Sequence, residues 1–155
     1  MGARTKARKR ALDILFESEL RGLETGATLE ERRQTVAALN IYTVTLVEGV
    51  MAHRDEIDEL LGSHSEGWPL DRMPAVDRNL LRIGVFELRY VDEVPDAVAM
   101  SEAVSLAREL STDGSPAFVN GLLAKIAGLA APEPRPDQSN GCDEPKSPAP
   151  DSFEV

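Results

Sequence analysis

Five basic side chains crowd the first ten residues of the chain, a segment that contains no acid. They are Arg4, Lys6, Arg8, Lys9 and Arg10, and we call residues 4–10 the basic arm. Cations at such density are suited to neutralising the phosphates of a nucleic acid. The whole chain of 155 residues is acidic, with a formal net charge of −10. A basic arm on an acidic body indicates a local interaction site; the alternative is a solvated terminus that frays.

A second chemically suggestive group surrounds Phe118. Ser115-Pro116 predicts a helix N-cap and first helical residue, which places Phe118 in the first turn, on the flank of an apolar stripe. A flanking ring beside a helix N-terminus could stack on a nucleobase, with a phosphate seated on free backbone N–H groups. Ordinary packing of the ring against a neighbouring helix is the alternative. Asn120 and Gly121 are poor helix formers, so Asn120 is expected to hydrogen-bond either a partner or another loop.

Residues that could support catalysis or bind a metal are sparse. The two histidines, His53 and His64, have no cysteine or carboxylate at zinc-like spacing, so we expect no metal and no cofactor. No Ser/His/Asp set, Cys/His set or Gly-rich phosphate loop is evident, which predicts a binding protein and not an enzyme. The single cysteine, Cys142, excludes an intramolecular disulfide and fits a reducing, cytoplasmic setting. No apolar run approaches the roughly 18 residues that a membrane span needs.

Helical periodicity runs through the chain to about residue 131, and no stretch shows clear period-two alternation. We therefore expect an all-α bundle of about seven helices. The patterns predict a first helix ending at Gly22, a short one from Thr28 as N-cap, and further helices over 40–61, 74–91, 96–110 and 115–130.

The predicted helix over 74–91 is apolar around most of its circumference, which indicates a central, buried position. Gly84 inside it is expected to admit a closely packed neighbouring helix. In the first helix the apolar stripe, continued backward, would pass through Thr5, Arg8 and Lys9. We expect those residues to lie beyond the core and to face a partner.

The last segment differs in composition from the rest. Six of the ten prolines lie at 132–150, and residues 131–155 carry a net charge of −4. Such a sequence cannot bury enough apolar surface to offset its ordering entropy. We therefore predict a helical domain over 1–131 and a disordered, acidic, proline-rich tail over 132–155, whose acids could compete for the basic arm.

Several blocks of this sequence together resemble the NusB family of bacterial transcription antitermination factors, in its actinobacterial form. The blocks are Leu70–Ile83 with Phe86–Leu88, Val94-Pro95, Ser101–Val104, Leu106–Arg108, Phe118–Leu123, and the basic start Ala7–Leu12. The resemblance covers about residues 4–130. It departs at Ser101, where the family often has Asn or Asp, and at Arg108, where Lys is usual.

The resemblance implies an all-α, cytoplasmic, RNA-binding protein. The family pairs with NusE, a small-subunit ribosomal protein, and the pair recognises the boxA element of nascent RNA. That recognition assembles an antitermination complex on RNA polymerase, notably over ribosomal RNA operons. We thus expect binding of boxA-type single-stranded RNA together with NusE, with no membrane contact.

The resemblance also implies roles for individual residues. Phe16 and Asp77 would face NusE, although Phe16 could simply be core and Asp77 could simply complement a helix N-terminus. We further expect the basic arm and the ring of Phe118 to form one groove. The implied RNA-binding residues are Arg4, Lys6, Arg8, Lys9, Arg10, Ser115, Phe118 and Asn120.

Two other interpretations stay open at this point. The chain could be a NusB-like accessory module of an RNA-modifying system, since such a domain precedes the catalytic part of some RNA methyltransferases. It could also be a homodimeric module that hides its RNA face. The sequence does not decide between monomer and homodimer, nor does it give the RNA affinity or the order of assembly with NusE.

Overall fold

A computed structural model describes residues 2–35 and 39–129, so the predicted tail at 132–155 lies outside the described residues. In the described part the regular structure is helical, which confirms the all-α prediction and its seven helices. A 3-10 turn at Leu70–Arg72 lies between the predicted helices over 40–61 and 74–91. The helices are α1 (Ala3–Arg21), α2 (Thr25–Thr35), α3 (Ile41–Ala52), α4 (Arg54–His64), α5 (Ala75–Tyr90), α6 (Asp96–Leu110) and α7 (Ser115–Ala127).

Helix α5 is the centre of the bundle, as its apolar circumference predicts. It packs against α1, α3, α4, α6 and α7, and its residues 79–87 are all buried. A Cβ added at Gly84 would lie 2.9 Å from Cδ1 of Leu123 in α7, closer than real side chains come. The predicted close approach at Gly84 is therefore confirmed, and it brings α7 against the centre of the molecule.

The chain breaks at His53, where the sequence pattern predicted one continuous helix over 40–61. That prediction is wrong: His53 adopts φ −113° and ψ 20° between α3 and α4, and its ring stacks on Tyr90 with centroids 3.9 Å apart. Asp55 and Glu56 then occupy the first turn of α4, where the helix dipole favours carboxylates. These two acids therefore mark the start of α4 in the sequence.

Two predicted helix starts are displaced by the packing. Helix α2 begins at Thr25, and the N–H of Thr28 already donates to the carbonyl of Glu24, so Thr28 is not the N-cap. Helix α7 has Gly114 in the cap position, and Ser115 is its first residue.

None of the described helices is long and apolar enough to cross a membrane.

Candidate nucleic-acid interface

Two cations of the basic arm are exposed and available to a ligand. Lys6 and Arg10 lie one turn apart on α1, and within the described residues neither side chain forms an ion pair or a hydrogen bond. Four residues of helix separate them by about 6 Å along the axis, on one face. They are therefore the best-placed phosphate contacts in the arm.

Arg4 and Lys9 are exposed but paired. A guanidinium nitrogen of Arg4 lies 3.4 Å from a carboxylate oxygen of Glu93, and the group also lies 4.6 Å from the centroid of the Tyr42 ring. The ammonium of Lys9 donates to Glu109 at 2.6 Å, and that hydrogen bond raises the pKa of Lys9. Exposed ion pairs contribute little to stability, so either cation can exchange its carboxylate for a phosphate.

Arg8 corrects the expectation that the whole arm faces RNA. Its side chain is 4% exposed and Nε donates to both carboxylate oxygens of Glu87, at 3.0 and 2.9 Å. The hydroxyl of Tyr42 donates to the same carboxylate, and Glu102 lies 3.4 Å from a second guanidinium nitrogen. Burial alone would lower the pKa of Arg8, but the hydrogen bond and charge of Glu87 outweigh it and raise that pKa.

Arg8 can be buried because the carboxylate of Glu87 is buried beside it. A buried charge is tolerated when it is paired and hydrogen-bonded. Arg8 follows Ala7 on the inward side of α1, so the apolar stripe does continue backward, with an ion pair in place of an apolar contact. Arg8 thus ties α1 to α5, and it contacts no phosphate unless that pair opens.

Asp77 and Ser115 are also internal. The carboxylate of Asp77 is fully buried and accepts hydrogen bonds from the hydroxyls of Ser111, at 2.6 Å, and Ser115, at 2.8 Å. The Ser115 hydroxyl in turn accepts from the backbone N–H of Thr112 at 3.2 Å. The expectation that Asp77 faces NusE and Ser115 lies on the RNA path is corrected: both join the starts of α5 and α7 to the end of α6.

Phe16 lies at the edge of an exposed apolar strip on α1. It is half-buried, and Leu20, one turn further on, is 74% exposed, with Leu23 beyond it also exposed. A contiguous apolar strip on a protein surface is typical of a protein-binding site. Contact between Phe16 and NusE stays a prediction, and the neighbouring Leu20 is the most exposed residue of the strip.

Phe118 forms an aromatic pair that the sequence analysis missed. Its ring meets that of Trp68 edge to face, with centroids 4.7 Å apart and planes at 61°. Both side chains are half-buried against the core, so neither the sealed-core alternative nor full exposure describes Phe118. The available signal was the single tryptophan of the chain, which lies between the predicted helices over 40–61 and 74–91.

The single groove between the basic arm and Phe118 stays a prediction. The arm reaches Glu87, Glu102 and Glu109 on α5 and α6, whereas the Phe118 ring packs on Trp68 beside α4. Asn120 is exposed, without a hydrogen bond from its side chain in the described part of the chain. Two residues along a helix, it projects about 160° away from Phe118. Phe118 and Asn120 therefore point to different sides of α7.

Comparison with known proteins decides the family. The family model described as the NusB family matches residues 5–128, nearly all of the described helices. The chain belongs to the NusB family. A transcription antitermination protein NusB of Nocardioides sp. is 60% identical over 127 residues, which is 81% of this chain and 94% of that relative. NusB members are transcription antitermination proteins, and this chain is one of that family.

Solved NusB structures share the fold. NusB of T. maritima matches with a TM-score of 0.76 at 31% identity, covering 84% of this chain and 94% of that chain. A chain in a complex of the antitermination factors NusB and NusE with dsRNA matches with a TM-score of 0.71 at 30% identity, covering 80% and 95%. The family model ends at residue 128, so residues 129–155 lie outside that match.

Proposed function

We propose that this NusB-family chain binds boxA-type RNA together with NusE and thereby helps to assemble an antitermination complex on RNA polymerase, notably on ribosomal RNA operons. Its 60% identity to an antitermination protein, over 127 residues, carries the proposal. The structural relative solved with NusE and dsRNA supports both partners.

The affinity for RNA comes from the exposed part of the basic arm. Lys6 and Arg10 neutralise phosphates directly, and Arg4 and Lys9 join them by exchanging Glu93 and Glu109 for phosphate oxygens. Each phosphate contact releases condensed counterions, so the affinity falls as the salt concentration rises. Phe118 supplies a ring for a base, since stacking tolerates any base and needs only an unpaired one.

The second partner explains how an acidic protein selects one RNA. A body with a net charge of −10 repels RNA that offers no specific contacts. NusE bound on the strip of Phe16, Leu20 and Leu23 would extend the RNA surface and supply contacts that the arm lacks. The affinity for boxA RNA therefore rises when NusE is present.

The protein acts by binding alone, without chemistry of its own. In the described residues no group of three or more His, Cys, Asp or Glu side chains could hold a metal ion. The buried carboxylates of Glu87 and Asp77 are held by Arg8, Tyr42 and serine hydroxyls within the bundle. We propose a non-enzymatic factor that works in the cytoplasm, where RNA polymerase transcribes.

The test is a titration of labelled boxA RNA with the full-length chain, with and without NusE. A scrambled RNA of the same length and a boxA duplex serve as controls. We expect tighter binding of single-stranded boxA than of the scrambled RNA, and a further gain with NusE. Equal affinities for boxA and scrambled RNA, unchanged by NusE, would refute the proposal. Tighter binding of the boxA duplex than of the single strand would show that the ligand is double-stranded RNA.

A further inference from the structure

One side of α7 presents, along the helix axis, the aromatic ring of Phe118, open space at Gly121 and the ammonium of Lys125. Phe118, Gly121 and Lys125 are three and seven residues apart, which places them on the same side of the helix over about 10 Å. Trp68 lies beside Phe118 at the start of this flank, and the end of α4 borders it, since Lys125 reaches the carbonyl of His64 at 3.4 Å.

We propose that Trp68, Phe118 and Lys125 form a subsite for one unpaired ribonucleotide, with the base stacked on one ring and its edge against the other, and its phosphate on the ammonium. The inference rests on the proposed function, because it assumes that the chain binds RNA. It adds two residues, Trp68 and Lys125, which lie outside the basic arm in the sequence.

The rings are held in place before any ligand arrives. Trp68 packs edge to face on Phe118, and its carbonyl accepts a hydrogen bond from the Ser65 hydroxyl at 2.6 Å. Both rings are partly embedded in the core, so their positions are fixed while part of each ring stays accessible. Prepositioned rings lose little conformational entropy when a base stacks on them.

The glycine at position 121 is evidence for a ligand, because the packing of the helices does not require a glycine there. A Cβ added there would meet no atom within 4 Å, in contrast to Gly84. A glycine inside a helix costs about 1 kcal/mol relative to alanine, and no packing contact offsets that cost here. The missing side chain keeps the space between the rings and Lys125 open, where a ribose would lie.

Lys125 can exchange its present partners for a phosphate. Its ammonium lies 3.4 Å from the His64 carbonyl and 3.4 Å from a carboxylate oxygen of Glu66, which is almost fully exposed. Contacts of that length at the surface contribute little to stability. A phosphate on the same flank would replace them with a charge-assisted hydrogen bond.

The single tryptophan makes the test specific to this site. Unlabelled single-stranded boxA RNA is titrated into the full chain while the fluorescence of Trp68 and its quenching by acrylamide are followed. Binding of the same RNA, labelled, is measured in parallel by anisotropy. We expect RNA to quench Trp68 and shield it from acrylamide at the concentrations that raise the anisotropy, and a fully paired duplex to do neither.

Variants separate stacking from packing and from charge. Trp68→Leu is expected to weaken RNA binding roughly 5- to 150-fold, whereas Trp68→Phe, which keeps a ring, retains most of it. Lys125→Ala is expected to reduce the slope of log K against log salt by about 0.7, Lys125→Arg to preserve it, and Arg33→Ala, a charge-matched control on α2, to leave it unchanged. Unfolding midpoints of all variants identify any that simply fail to fold.

Each outcome decides one question. If RNA raises the anisotropy but leaves Trp68 fluorescence unchanged, and Trp68→Phe, Trp68→Leu and Lys125→Ala bind as the wild type does, the subsite is overturned while RNA binding stands. If RNA produces no anisotropy change at all, the proposed function itself fails. If NusE without RNA produces the Trp68 signal, the flank is a protein interface, and the subsite is overturned in that case too.

Discussion

Neighbouring cations on α1 have opposite environments. Arg8 is buried in a bidentate pair with Glu87, whereas Lys6 and Arg10, two residues to either side, are exposed without a partner in the described structure. A run of basic residues therefore does not act as a unit. Helical geometry turns every second residue by about 200°, so alternate members face solvent and core.

At the residue scale, the account separates the cations that contact RNA from the one that does not. Replacing both Lys6 and Arg10 by alanine is expected to lower the slope of log K against log salt by roughly 1.4, since each phosphate contact on a single strand contributes about 0.7. The measurement is an anisotropy titration at several salt concentrations. A double variant of Arg21 and Arg33 matches the charge change away from the arm, and an equal effect there would make the arm irrelevant.

Arg8 is expected to act on stability. Arg8→Ala leaves the carboxylate of Glu87 buried without its cation, which should cost about 3–5 kcal/mol in the free energy of unfolding. Arg8→Met combined with Glu87→Gln removes both charges and keeps an acceptor for the Tyr42 hydroxyl, so much of that loss should be recovered. Urea unfolding measures both. Wild-type stability of Arg8→Ala together with a reduced salt slope would return Arg8 to the RNA surface.

At the scale of the helices, sequence patterns predicted where helical segments occur but missed the break between α3 and α4. The apolar circumference of 74–91 and the glycine at 84 correctly indicated a central helix with a close neighbour in α7. The break at His53 was missed because apolar periodicity continues through it, although Asp55 and Glu56 marked the start of α4. Periodicity reports burial, while the direction of a helix depends on tertiary contacts such as that between His53 and Tyr90.

The site was predicted less completely than the fold. Family likeness picked out Asp77 and Ser115, but only coordinates show that these two bond each other inside the bundle. Trp68 was missed because the ring that it meets, Phe118, lies fifty residues away in the chain. Contacts between distant segments leave no local pattern in a single sequence.

The close packing of α3 on α5 gives a test at this scale. The Phe86 ring occupies the space that a Cβ of Gly49 would need, whereas Gly62 in α4 has open space around it. Gly49→Ala should therefore destabilise the protein by about 1–3 kcal/mol or more through overpacking. Gly62→Ala should stabilise it by up to about 1 kcal/mol through helix propensity. Urea unfolding of the two variants measures the change in the free energy of unfolding. Equal changes for Gly49→Ala and Gly62→Ala would contradict the close packing of Phe86 on Gly49.

At the scale of the whole molecule, charge is segregated between the arm, the body and the tail. Leu129, the last described residue, lines a cavity with Asp92 and Asp96, and Arg4 pairs with Glu93 at that same end of the bundle. The described residues thus end near Arg4 of the basic arm, and the acidic tail follows them in the sequence. Proximity raises the effective concentration of its carboxylates around the arm.

Removal of the tail is expected to tighten RNA binding at low salt. Deleting residues 132–155 takes away acids that compete with phosphates for the arm, and the gain should vanish at high salt, where screening removes the competition. RNA titrations of the full and shortened chains at two salt concentrations measure it. An unchanged affinity at low salt would show that the tail does not compete.

The whole account is tested most directly by read-through of a terminator in a purified transcription reaction. The template carries boxA upstream of the terminator, and RNA polymerase is supplied with NusE, the other antitermination proteins and this chain. We predict that read-through rises when this chain is added, falls back when boxA is scrambled, and falls when Lys6 and Arg10 are replaced by alanine. Read-through that is the same with and without the chain, or insensitive to boxA, would contradict the account.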